Sequence, residues 1–456
     1  MKRWIPAAAC LLSCLAAIAP AAALQRTYIA TGGSQWVVTR ADSGPAPHIA
    51  VLYDNGLQSP LHPMCTELAR RGFVTWCALS NPQLTDTGDW MQVALEIQAA
   101  IEYLRRQPGI DTIVLYGHSG GGAAASFYEA VAENGTAYCQ DPRKLSRCSD
   151  ALAHLPRADA VLFPDAHPGM DVMSLRGLNP SLIADGKRMR VDPALDPFSA
   201  HNGFNAAGHS HYSPAFRQRY YAAQAAEMRR LVERALRIEA AMAAGRLSNP
   251  ADEEIVIPGF GIATHLDELD PNIALTMSTV RPERVLRNDG SIAVQPIHSV
   301  WTGQSPFLHF SENLVEPAAA FLAMRAVHAR DSMSQIDWCS ANADTVCNSW
   351  HIHVPVLFIA SGASDFIADE ERMYDGSPSP DKQFIVVEGA LHTGAPCVPC
   401  ATYPGQYSNS MRNLFDYITH WINERFPVRH GTSAAARTAA DQSVPSWRSK
   451  NLTTMR

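Results

Sequence analysis

Gly117-His118-Ser119-Gly120-Gly121 sits between an apolar run, Thr112–Tyr116, and a run of small residues, Gly120–Ser126. A strand entering a sharp turn that opens a helix holds a serine in strained backbone geometry and exposes its Oγ. Glycines flank it because a Cβ there would collide with strand or helix. The helix start offers its positive dipole end and free N–H groups to a developing oxyanion. A serine hydroxyl becomes a useful nucleophile only when a base takes its proton and an acid orients that base. Two later loops supply both: Ser361-Gly362-Ala363-Ser364-Asp365 after the apolar run Val354–Ala360, and Gly389-Ala390-Leu391-His392 after Gln383–Glu388. Ser119, Asp365 and His392 thus each follow a strand, at the carboxyl ends where parallel sheets place their sites.

The elements that must hold these groups alternate along the chain. Strands are expected at Trp36–Arg40, His48–Tyr53, Phe73–Leu79, Thr112–Tyr116, Ala158–Phe163, Val354–Ala360 and Gln383–Glu388. The later ones are continuous apolar runs, as in parallel strands covered on both faces. Asp89–Arg106 and Ser410–Phe426 carry apolar stripes at helical spacing. This predicts an α/β, doubly wound, mostly parallel sheet. The alternation stops between Pro168 and Trp350. There Ser213-Pro214 starts a helix of about thirty residues that Gly245 ends. Strands are expected at Glu254–Ile257, Ile273–Val280 and Ile292–Val300, with Asn288-Asp289-Gly290 a tight turn between the last two. The domain plan is a leader (1–23), a core begun in 24–167 and completed in 351–427, a mixed α/β cap in 168–350, and an Ala/Ser/Thr/Arg-rich tail (428–456) with few apolar residues.

The leader begins with Lys2 and Arg3, runs apolar from Ile5 to Ala19, and breaks at Pro20 before Ala21-Ala22-Ala23. That is the pattern of a secretory signal, too short to span a membrane. Leu11-Leu12-Ser13-Cys14 also fits a bacterial lipoprotein box, with Cys14 as the lipidated residue. Export agrees with eight further cysteines in close pairs. Spacing suggests Cys139–Cys148, Cys339–Cys347 and Cys397–Cys400 as disulfides; a redox role for Cys397-x-x-Cys400 is disfavoured by its flanking prolines. With 37 Lys+Arg against 44 Asp+Glu, net charge −7, the chain has no global attraction for nucleic acid. Hydrophobic residues at 46% exclude wholesale disorder. His201, His209, His211, His351 and His353 include two His-x-His pairs, yet no carboxylate or cysteine spacing completes a metal set. No metal or cofactor is expected.

Tyr116-Gly117-His118-Ser119-Gly120-Gly121-Gly122, Gly362-Ala363-Ser364-Asp365 and Val387-Glu388-Gly389-Ala390-Leu391-His392 together resemble the α/β-hydrolase superfamily, specifically exported bacterial serine hydrolases with a cap inserted after the sixth core strand. The likeness spans about His48–His167 and Val354–Phe426, and the order Ser119, Asp365, His392 is that of the superfamily. It implies a Ser119–His392–Asp365 triad, with Asp165, which also follows a strand, at an alternative acid position that some relatives use. It also implies backbone N–H donors from Gly120 and from Leu57 in Asp54-Asn55-Gly56-Leu57-Gln58-Ser59, where Asn55 stands in place of the relatives' histidine. The implied activity is hydrolysis of a small carboxylic ester through an acyl-serine. An amidase or peptidase would use the same triad, and a non-catalytic binder would share the fold.

Overall fold

Segments of four to eight residues build one ten-stranded sheet in the computed structural model, which describes residues 23–31, 34–54, 62–78, 89–185, 188–247, 254–261, 265–270, 272–273, 275–301 and 312–428. In chain order the strands are β1 (Leu24–Thr31), β2 (Ser34–Ala41), β3 (Ile49–Asp54), β4 (Val74–Ala78), β5 (Thr112–Gly117) and β6 (Ala160–Pro164). There follow β7 (Leu182–Asp185), β8 (Arg188–Val191), β9 (Glu254–Phe260), β10 (Glu283–Leu286), β11 (Ile292–Gln295), β12 (Glu312–Pro317), β13 (His328–Ala329), β14 (Ile336–Asp337), β15 (Val356–Ser361) and β16 (Lys382–Val387). The main sheet runs β1-β2-β4-β3-β5-β6-β15-β16-β10-β11. From β4 to β10 neighbouring strands are parallel; β2 is antiparallel to both β1 and β4, and β11 to β10.

Every residue of β5, β6 and β15 is buried, because helices cover both faces. On one face Ile97, Ile101 and Leu104 of helix Trp90–Arg105 and Phe127 and Val131 of helix Gly121–Asn134 pack against Leu115, Phe163 and Phe358. On the other, Met64 and Leu68 of helix Pro63–Arg70 meet Leu414, Phe415, Ile418 and Trp421 of helix Ser410–Arg425 over Val51, Tyr116 and Leu162. This is the doubly wound, mostly parallel α/β sheet expected from the sequence.

The stretch after β6 builds apolar clusters of its own. The thirty-residue helix Pro214–Ala243, capped by Ser213 Oγ accepting from Phe216 N–H, buries Met228, Leu231 and Val232 against Leu175, Ile255, Ile257 and Phe321. One part of residues 168–350 departs from the expected cap. Glu283–Gln295 returns to the main sheet, β10 pairing with β16 (Val285 opposite Val386) and β11 closing the edge. Asn288-Asp289-Gly290 turns between these two strands, whereas of the strand expected at Ile273–Val280 the described residues form turns and a single bridge, Ser278 to His298. Its apolar residues explain this: Ile273 and Met277 are buried but Leu275 and Val280 are exposed, so no alternating face forms. β1 was not expected. The leader through Ala22, Cys14 included, and the tail from 429 lie outside the described residues.

Four disulfides staple the described chain: the three expected from spacing, and Cys65–Cys77, which ties helix Pro63–Arg70 to β4. No helix among the described residues is long and apolar enough to cross a membrane.

Candidate active site

β5 ends at Gly117, and Ser119 sits two residues on with φ +56°, a left-handed conformation costly for a residue with a Cβ. Helix Gly121–Asn134 begins immediately, with Gly120 at its N-cap. Glycine is required where the backbone crowds. A Cβ on Gly117 would lie 2.9 Å from Gly121 O, and one on Gly122 would lie 2.7 Å from the Ala166 Cβ. The second tight approach therefore falls at Gly122, one residue beyond the motif's last glycine. Among the described residues no acceptor is found for the Gly120 N–H at this helix start. Leu57, the other expected donor, lies outside the described residues.

The neighbouring strand ends at a second strained residue. Asp165, directly after β6, has φ +50°. Its backbone is tied on both sides: Asp165 N–H donates to Ile359 O of β15 (2.7 Å), and Asp165 O accepts from Ser119 N–H (3.3 Å). Ser119 and Ala166 form a parallel bridge, so the β5–β6 ladder resumes beyond the elbow. The Asp165 carboxylate is 2% exposed; Oδ1 accepts from Ser361 N–H (3.0 Å) and Oδ2 lies 2.6 Å from His392 Nδ1. Asp365, the acid expected from the sequence, does not hold this place. It follows β15, one strand further from the strand that leads to Ser119, and acts on His392 through its charge. β6 lies directly beside β5, which sets Asp165 next to Ser119 while its carboxylate reaches the His392 ring.

His392 sits on the loop after β16, with its side chain 39% exposed. Ser361 Oγ donates to Leu391 O (3.1 Å), Ala363 N–H to Ala390 O (2.8 Å), and the Cys397–Cys400 disulfide closes the same loop. Because Oδ2 of Asp165 can only accept, Nδ1 carries the hydrogen and Nε2 is left as the basic nitrogen. Burial works against protonation of this ring. The Asp165 hydrogen bond and charge, joined by the charge of Asp365, outweigh it and raise the pKa above its ordinary 6.5.

Three groups that sequence reasoning did not single out complete the surroundings. His118 Nε2 lies 2.7 Å from His392 O, and the two rings are 4.5 Å apart. Glu370, fully buried on helix Ile367–Gly376, accepts the Ala166 N–H at 2.6 Å; burial pushes its carboxyl well above the usual range. His167 accepts Gly169 N–H on Nδ1 and is pushed by burial to about 4, so it stays neutral. His118 lies within the motif, but nothing in its spacing marks it; Glu370 and His167 have no sequence signal at all. Of the other histidines, His351 Nδ1 donates to Cys347 O, His353 pairs with Glu133, His201 lies in a short 3-10 helix (Ala200–Asn202), and His209 and His211 lie on the loop before the long helix. A cavity of about 340 Å³ lies at that helix start, lined by His211, Tyr212, Arg217 and Asp270, away from Ser119.

No family model matches the chain, and no curated protein does. Among solved structures it is similar to a hormone-sensitive lipase from a metagenome library (12% identity, 88% of this chain and 86% of that one, TM-score 0.39). It is likewise similar to a hypothetical protein from Pseudomonas aeruginosa (15%, 89% and 95%, TM-score 0.37) and to a dienelactone hydrolase from Anabaena variabilis (10%, 89% and 98%, TM-score 0.35).

Proposed function

We propose that this chain of α/β-hydrolase fold is an exported serine hydrolase that cleaves a carboxylic ester, with Ser119 as nucleophile, His392 as base and Asp165 as the orienting acid. The observation that carries the reading is the 2.6 Å contact of His392 Nδ1 with a buried Asp165 whose own backbone is bonded to a strained Ser119. Nε2 of His392 takes the Ser119 hydroxyl proton as Oγ adds to the ester carbonyl. The tetrahedral oxyanion is met by the Gly120 N–H at the positive end of the helix. Imidazolium then protonates the leaving alkoxide as the C–O bond breaks, and an acyl-serine remains. Water, deprotonated by the same nitrogen, adds to that acyl carbon and releases the acid, returning the proton to Ser119. Asp165 keeps Nδ1 protonated and steadies the cationic ring. Four disulfides support an oxidising destination, with residues 1–23 as the leader.

A fluorophosphonate probe should label the purified protein at Ser119, and Ser119→Ala should abolish both labelling and turnover of p-nitrophenyl acetate or butyrate. Full ester turnover by Ser119→Ala would refute the reading. Faster cleavage of matched anilides than of esters would move the substrate class to amides.

A further inference from the structure

We infer that His118 is a positioning residue: its imidazole fastens the loop carrying His392 to the strand end carrying Ser119. The inference rests on the serine-hydrolase reading above. Its basis is geometric. His118 is 2% exposed, and its Nε2 lies 2.7 Å from the backbone oxygen of His392. A carbonyl oxygen only accepts, so Nε2 carries the hydrogen and the ring is the Nε2–H tautomer. Ser361 and Ala363 also hold this loop, from the end of β15, and Ser410 Oγ holds it from helix Ser410–Arg425 by donating to Gly394 O (2.9 Å). The His118 bond comes from the nucleophile's own strand, one residue from Ser119. It therefore sets base and nucleophile relative to each other.

Two further features fit this role. His118 Nδ1 is buried and has no hydrogen-bond partner among the described residues, so the ring is kept at a cost to stability. The ring is enclosed by Tyr53, His62 and His392, with the neutral His167 as a further titratable neighbour. Burial, and then the charge of His392, hold its pKa well below the ordinary 6.5. A neutral ring keeps the bond unchanged while His392 gains and loses its proton, and it puts no second cation beside the imidazolium. Glutamine can present an amide N–H where histidine has Nε2–H, whereas phenylalanine keeps the ring and removes the donor.

The test begins by establishing Ser119 labelling in the wild type, so that failure of the enzyme reading is seen separately. His118→Phe should then lower kcat for p-nitrophenyl butyrate about 10- to 100-fold, the scale of a displacement near 1 Å, with KM within about twofold. His118→Gln should recover most of that loss. Nitrogen-15 histidine NMR of the wild type, assigned by the signals lost in His118→Gln, should show an Nε2–H tautomer that does not titrate between pH 5 and 8. Wild-type kcat in a folded His118→Phe would overturn the inference, as would equal losses in both variants. So would an Nδ1–H or titrating ring, and that NMR result decides alone if His118→Phe does not fold.

Discussion

Two carboxylates influence His392, and their unequal roles make separate predictions. Asp165 contributes a hydrogen bond and a charge to the imidazole; Asp365 contributes charge. Asp165→Asn should cut kcat by about 10³- to 10⁴-fold, because the amide can bond the wrong tautomer of the ring. Asp365→Asn should leave kcat at pH 8 nearly intact but change the pH profile. The base works when neutral, so activity rises with pH through the His392 pKa, which lies above the ordinary 6.5. Removing a negative neighbour lowers that pKa, and the acid limb should move to lower pH. Steady-state profiles from pH 5 to 9 for both variants check this. A dead Asp365→Asn beside an active Asp165→Asn would restore the assignment that the sequence suggested.

At the scale of elements, the helix behind the nucleophile carries a buried acid that is out of reach of solvent. Glu129 Oε2 accepts Ala158 N–H at 3.0 Å, Oε1 has no partner, and burial pushes its pKa to about 8. Between its ordinary 4.5 and that value the folded chain holds a proton that the unfolded chain releases, so stability falls as pH rises through this window. Glu129→Gln keeps an acceptor for Ala158 and removes the titration. Its melting temperature should overtake the wild type's increasingly between pH 5 and 8; a constant gap would contradict this. Elements of this kind were legible in the sequence where burial imposes a pattern. β5, β6, β15 and β16 read as continuous apolar runs because both faces are covered, and the long helix announced itself through Ser213 and Pro214. β10 was illegible: four residues including Glu283 and Arg284, one strand in from the sheet edge, have neither period nor hydrophobicity to reveal them. The acid's identity was illegible for another reason. Asp165 and Asp365 each follow an apolar strand, and only the lateral order β5-β6-β15 says which end lies nearer the nucleophile; that order is a long-range fact with no local trace. His118 shows the same limit, since its partner is 274 residues away.

For the whole molecule, the question is what joins the stretch after β6 to the core, and one connection is a buried ion pair. Arg176, on helix Met170–Arg176 of that stretch, places Nη1 2.5 Å and Nη2 3.1 Å from the Asp369 carboxylate on helix Ile367–Gly376. The side chains are 7% and 1% exposed. Gln224 of the long helix donates to Arg176 O and Leu178 O and accepts from Ser332 Oγ, so three segments of that stretch converge here. Burial works against the Asp369 charge, but Arg176, aided by Arg372, holds the carboxyl below its ordinary 3.8. The contribution is thus present above that pH and lost as pH falls below it. Arg176→Met should destabilise the protein by about 3–5 kcal/mol, because Asp369 is left buried with only the more exposed Arg372 beside it. Pairing Arg176→Met with Asp369→Leu should recover much of that loss, since apolar replacement of a whole buried pair is often close to neutral. Urea unfolding of the two single variants and the double at pH 7 measures the coupling. Additive losses would mean that this stretch is held to the core by its apolar contacts, with the ion pair a passenger.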